Sequence, residues 1–321
     1  MRIKWSWFRE RWLENVLLVG FAGIIVWFGF MAAPAISEYL PDSLSKFFDG
    51  RAAYRHVVAQ TDIGPRPTGS QAIRQTQQYI TNKLTKYHWN LEYQDFRYRG
   101  TPARNIIAKA GQGKGPVIII GAHYDTRRRA DNDPSAEKRT EPVPGANDGA
   151  SGTAVLLELA RSIDKSKLQN EVWLVFFDAE DNGRLDGWQF IAGSSYFANN
   201  LSIVPAGVIV VDMVGDSDQQ LYKEQNSTPW LVDQVWSAAA KLGFDKSFLP
   251  TVKYNMLDDH TPFLRKGIPA IDIIDFDYPY WHTTQDTADK VSPDSLASVG
   301  RTLETLLEEA AIKPGRSSTT P

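Results

Sequence analysis

Four short stretches of the chain are apolar almost without interruption: 115–123 (GPVIIIGAH), 171–178 (EVWLVFFD), 206–213 (AGVIVVDM) and 268–275 (IPAIDIID). Runs of this length, rich in β-branched residues and bounded by Gly, Pro or acids, read as strands buried on both faces. Between them the apolar residues recur at helical spacing. Segment 152–163 places Leu156, Leu159, Ala160 and Ile163 on one face. Segment 229–243 opens on Pro and stops at Gly, and Ser292-Pro293 starts a helix with Leu296, Val299, Leu303, Leu306 and Ala310 along one stripe. Helices are also predicted over 187–199 and 70–87, the latter followed by weaker strands around 91–98 and 103–110, expected at the sheet edge. Buried strands alternating with amphipathic helices predict an α/β fold: a mostly parallel mixed sheet sandwiched between helices. No internal repeat or second linker interrupts 46–312, which reads as one domain.

The N-terminal pattern is different. Residues 16–33 carry no charge, Arg2, Lys4, Arg9 and Arg11 precede them, and the next basic residue is Lys46. Such a run is long enough to span a bilayer, and the basic flank stays cytoplasmic. The expected order is a cytoplasmic basic segment (1–15), one transmembrane signal anchor (16–33), a linker (34–45), the catalytic domain and a disordered tail (313–321). The alternative is a signal peptide cleaved near Ala33-Pro34-Ala35, giving a secreted protein. Both place the catalytic domain outside the cytoplasm.

Composition narrows the chemistry. Lys and Arg total 35 against 38 Asp and Glu, so no basic field exists to hold nucleic acid. Cysteine is absent, so any metal must be bound by histidine and carboxylate. Nothing in the pattern specifies an oligomer.

The polar residues cluster at strand ends. His123 and Asp125 follow the first buried run, Glu180 and Asp181 the second, Asp212 the third and His282 the fourth, while Asp148 sits in the turn GANDG. In an open parallel sheet, ligands bind beyond the carboxyl ends of the strands. Each residue alone has an ordinary role. Asp148 suits a turn or helix cap, Glu180 and Asp181 a solvated loop, Asp212 a strand end facing water, and His282 packing beside Trp281. Their convergence at one rim points instead to a nitrogen and oxygen site for Zn²⁺ or a similar divalent ion. Cations there would offset the repulsion among Asp178, Glu180 and Asp181. Asp125, two residues after His123, is placed to orient that imidazole. His260, after Asp258 and Asp259, either caps a helix or lies at a substrate rim. Arg127–Arg129 open a polar loop, 126–144, that is a solvated surface or the mouth of the site. His56 and His88 read as structural.

GAHYDT, PGANDGASG, DAED followed by GSSYFA, VVDMVG, DDHTPF and HTTQDTADKVS occur in this order between about 50 and 310. Together they resemble metallopeptidase family twenty-eight, the di-zinc aminopeptidases and the related glutaminyl cyclases. The resemblance implies a zinc-exopeptidase-like fold and two zinc ions, or one. His123 and Asp212 would bind one metal, Asp181 and His282 the other, and Asp148 both, with Glu180 as general base. Asp259, His260 and Trp281 would support the ligands or touch substrate. Asp181 stands where the family usually has Glu, so the loop must sit closer in or that metal binds more loosely. The implied function is a metal-dependent aminopeptidase that removes N-terminal residues from peptide substrates. The alternative is a glutaminyl-peptide cyclotransferase with one zinc on Asp148, Asp181 and His282. The stretch DDHTPFLRKGIPA and Trp281 resemble that branch, whereas Asp272 stands where cyclases tend to carry His. A third reading is a non-catalytic, membrane-anchored binding ectodomain, against which every motif position retains a competent ligand or base.

Overall fold

All four buried runs become neighbouring strands of one six-stranded sheet. The protein is described by a computed structural model covering residues 43–309 and 311–313. The strands of this sheet are β1 (Asn90–Tyr98), β2 (Thr101–Ala110), β3 (Val117–His123), β4 (Glu171–Phe177), β5 (Gly207–Asp212) and β8 (Ala270–Ile274), and they lie in the order β1-β2-β4-β3-β5-β8. β4, β3, β5 and β8 run parallel, while β1 and β2 join as an antiparallel hairpin against β4. A second, two-stranded sheet pairs β6 (Leu221–Lys223) with β7 (Phe248–Val252). The described residues from Ser45 onward form one compact unit.

Alternation along the strands builds the layers. Ile118 and Ile120 face a core shared with α1 (Gly50–Ile63), α2 (Gln71–Lys86), α3 (Ala150–Ser162), α5 (Pro229–Lys241) and α7 (Pro293–Glu309). Ile119 points the other way, into a core with α4 (Ala192–Asn199) and α6 (Thr261–Leu264). The expected sandwich therefore holds. From β3 the chain passes to β4 on one side and later to β5 on the other, so the strand order reverses around β3. That reversal opens a crevice beyond the strand ends, the usual ligand position in such sheets.

One difference from the sequence reading stands out. The helix expected over 187–199 is confined to Ala192–Asn199. Before it runs a tight turn in which Arg184, Asp186 and Gly187 have φ of 65°, 51° and 77°, a conformation no right-handed helix contains. The segments 1–15 and 16–33, most of the linker and most of the tail lie outside the described residues. Among the described residues, no helix is long and apolar enough to cross a membrane.

Candidate metal centre

His123 is the last residue of β3, and its carbonyl accepts a 2.9 Å bond from Thr153 at the start of α3. Its Nε2 lies 3.0 Å from Asp212 Oδ1 and 3.1 Å from Asp148 Oδ1. His282 Nε2 lies 2.9 Å from Asp181 Oδ1 and 3.7 Å from Asp148 Oδ2. Asp148 thus turns one oxygen towards each imidazole. Two donor sets result, His123/Asp148/Asp212 and Asp148/Asp181/His282, all buried, with the donor atoms of each within 4.8 Å of one another. A tetrahedral ion with arms of about 2.0–2.1 Å has donor–donor edges near ~3.3 Å, so the spacing suits zinc. Asp148 Oδ2 and Asp181 Oδ2 are buried without a hydrogen-bond partner. Leaving carboxylate oxygens dry and unpaired is costly unless a cation faces them. The donor types and these orphaned atoms fit a divalent metal.

The charge states agree. Burial pushes Asp212 up to about 7 and, with help from Asp148, Asp181 up to about 6. Glu180 is raised well above the usual carboxylate range, chiefly by burial and further by Asp181, Asp259 and Asp258. Burial opposes charge on His123, yet Asp212, Asp125 and Asp148 outweigh it and hold the imidazole well above its ordinary pKa.

Each ligand is braced from behind. Asp286 accepts from the backbone N–H of Asn147 (2.8 Å) and of Asp148 (3.1 Å), and from the Tyr278 hydroxyl (2.7 Å). Arg66 is wholly buried and donates to the carbonyls of Tyr124, Pro144 and Gly145 at 2.8, 3.1 and 2.7 Å, tying the turn before Asp148 to the end of β3. Burial lowers Arg66 to about 10, which leaves it cationic beneath the acids at neutral pH. Asp125 lies 3.6 Å from His123 Nδ1, longer than a hydrogen bond. Its oxygens instead accept from the Glu180 N–H at 3.0 Å and, more weakly, the Asp181 N–H at 3.4 Å. Asp125 therefore shapes the loop that delivers the base and one ligand, a role the sequence spacing did not suggest. With that loop drawn in, the shorter Asp181 reaches His282.

The polar loop 126–144 is anchored at its start and at Asp133, while most of 131–142 is exposed. Arg127 is buried and donates to the Asp181 carbonyl at 2.8 Å. The Asn132 N–H reaches the His282 carbonyl at 3.2 Å, and Asp133 accepts from the N–H and hydroxyl of Thr284 at 2.9 and 2.6 Å. This clamp holds His282 in a left-handed conformation (φ 58°), with Trp281 stacked on its ring at 3.8 Å.

A cavity of about 270 Å³ opens on the two donor sets. Asp148, Glu180, Asp181, Asp212 and His282 line it, with Met213, Met256, Phe276 and Trp281 as apolar wall. Glu180 belongs to neither donor set, and its carboxylate makes no hydrogen bond among the described residues. Trp281 is where a substrate contact was expected. Asp259 and His260, expected to touch substrate or to support the ligands, are fully buried behind the wall and do not line the cavity; Asp258 does. His260 sits between Glu224 (3.4 Å from Nε2) and Asp272 (3.6 Å from Nδ1), one layer behind the wall. It precedes α6 but makes no side-chain capping bond. The DDH motif carried a signal for Asp258. Arg184 and Phe190, also on the wall, had none: Phe190 lay in the expected helix, and Arg184 in a segment to which no element was assigned. A larger cavity of about 400 Å³ between α5 and α7 contains no histidine and lies apart from this chemistry.

Residues 105–307 match the family model described as peptidase family M28. A leucine aminopeptidase precursor from Bacteroides thetaiotaomicron is 32% identical, with a TM-score of 0.78 over 83% of this chain and 98% of that one. A glutaminyl cyclase from the same organism is also 32% identical, with a TM-score of 0.77 over 83% and 99%. Aminopeptidase YwaD of Bacillus subtilis is 30% identical over 68% of this chain, which spans 47% of that longer protein.

Proposed function

The chain belongs to peptidase family M28, and from that premise we propose that it is a metal-dependent aminopeptidase, hydrolysing the N-terminal residue from peptides. The observation that carries this reading is Asp148, whose two oxygens serve two complete donor sets. His123 and Asp212 would hold one ion, Asp181 and His282 the other, and Asp148 would bridge them. A pair of divalent ions supplies Lewis-acid polarisation of the scissile carbonyl and lowers the pKa of water. The protein's own groups do the rest. Glu180, in the cavity but outside both donor sets, accepts the proton of the attacking water. As the carbon–nitrogen bond breaks, it returns that proton to the leaving amine. Asp125 and Arg127 keep Glu180 and Asp181 on diverging paths by holding the backbone between them. The cavity of about 270 Å³ admits a residue and its scissile bond rather than an extended chain, which favours action at a peptide end.

One observation favours a second reading. His123 and Asp212 approach at 3.0 Å, a good hydrogen bond in its own right. A single ion on Asp148, Asp181 and His282 would leave that bond intact, as glutaminyl cyclisation with one zinc would require. In that reaction Glu180 would carry a proton from the substrate amine to departing ammonia. The two are separated by incubating the purified protein with leucyl- and glutaminyl-peptides while counting metal ions per chain. Free leucine with two ions is the expected result. Pyroglutamate and ammonia with one ion would replace the aminopeptidase reading by the cyclase. Turnover of neither peptide, with metal bound, would sink both.

A further inference from the structure

Three arginines are occupied in holding the turn that runs from Glu180 and Asp181 to Phe190. Arg127 donates to the carbonyls of Asp181 (2.8 Å) and Gly183 (3.2 Å). Arg128 donates to Asn182 Oδ1 at 3.0 Å and lies over the Trp188 ring. Arg129 pairs with Asp186 at 2.7 Å. Arg184 differs. It is exposed and lines the cavity, and its side chain has no ion-pair or hydrogen-bond partner among the described residues. Its backbone is left-handed (φ 65°), fixed by a 2.9 Å bond from its N–H to the Trp188 carbonyl. Non-glycine residues adopt this conformation rarely, and it persists where the surroundings over-determine it, often at ligand clamps. Apart from His282, every other titratable side chain on the cavity wall is an acid.

Arg184 is the one fixed cationic side chain on that wall, and its planar guanidinium fork matches a carboxylate with two parallel hydrogen bonds. We propose that Arg184 is a specificity-determining residue that binds a substrate carboxylate, so that the site prefers short acidic peptides. The proposal rests on the peptide N-terminal chemistry inferred above. With space for little more than one residue and the bond after it, the carboxylate that meets Arg184 belongs to the residue beyond that bond. It is either that residue's side chain or, in a dipeptide, its free C-terminus.

The test compares kcat/KM of the zinc-loaded full chain on alanyl-alanine against its C-terminal amide, and on alanyl-glutamate amide against alanyl-glutamine amide. The expected result is a preference for the charged member of at least one pair, on the order of tenfold, carried mainly by KM, as for one charge-assisted bond. The pair that shows it identifies the source of the carboxylate. Arg184→Gln brings that ratio close to one, Arg184→Lys restores part of it, and Arg184→Glu reverses it in favour of alanyl-lysine amide. No preference in the wild type, or a preference that survives Arg184→Gln, overturns the proposal. Calorimetric affinities for the same peptides provide an independent readout. If no peptide is turned over, the aminopeptidase reading fails by itself, while the affinity ratio still decides the role of Arg184.

Discussion

At the scale of single residues, adjacent side chains in one loop divide the chemistry. Glu180 faces the cavity and Asp181 faces His282, because Asp125 captures both N–H groups and Arg127 the Asp181 carbonyl. Glu180→Gln keeps the volume and loses the proton acceptor. Its turnover should fall by about 10²–10⁴-fold with zinc content unchanged, measured by steady-state kinetics and metal analysis. Wild-type rates in that variant would remove Glu180 from the mechanism. Glu224, behind the wall, offers a pH-dependent test. Burial pushes its carboxyl up, but His260 and the N–H groups of Asn226 and Met256 outweigh it and bring the carboxyl down to about 2. Its folded pKa is therefore depressed, so its stabilisation is present above about pH 4.5 and is lost as pH falls towards 2. Glu224→Gln should be less stable than wild type by about 1–3 kcal/mol at pH 7, with the gap closing near pH 2–3 in urea unfolding. A gap independent of pH would mean that the charge is irrelevant.

At the scale of elements, the ligands depend on how closely α3 lies on the sheet. A Cβ at Gly152 would stand 2.1 Å from the Val211 carbonyl oxygen, so only glycine allows this approach. Thr153 of the same turn holds the His123 carbonyl, and Asp148 immediately precedes the helix. Gly152→Ala should cost about 1–3 kcal/mol through overpacking and weaken zinc binding, because helix and ligand move together. Urea midpoints and a zinc titration read the two effects, and a variant unchanged in both would show that the contact is soft. The helices and strands themselves were largely legible in advance, since buried runs and 3.6-residue stripes are local properties. The turn before α4 was not. A helix was expected from 187, yet Gly187 and Ile191 take left-handed backbone, and the segment just ahead of them is held by Arg127–Arg129, some 55 positions earlier in the chain.

At the scale of the whole molecule, the catalytic unit gathers acids from β3, β4, β5 and the loops beyond them into a space too small for them to stay charged alone. Metal binding and folding stability should therefore be linked. Metal held at a hundred times its dissociation constant adds about 2.7 kcal/mol to the folded state. Chelation should lower the melting temperature by several degrees, and zinc should restore it. A melting curve indifferent to chelator would contradict the cage.

The sequence by itself determined the α/β class, the strand ends on which His123, Glu180, Asp181 and Asp212 stand, and the absence of thiolate ligands. These follow from periodicity and residue type, which neighbours along the chain largely specify. The expectation of an anchor, or of a cleaved signal, at 16–33 rests on the sequence alone. Only the tertiary structure decided which oxygen of Asp148 meets which imidazole. It also turned Asp125 to the 180–181 backbone, buried His260 and left the Arg184 side chain without a polar partner among the described residues. Side-chain direction in a loop is set by contacts from distant segments packed against it, and no local pattern encodes those contacts.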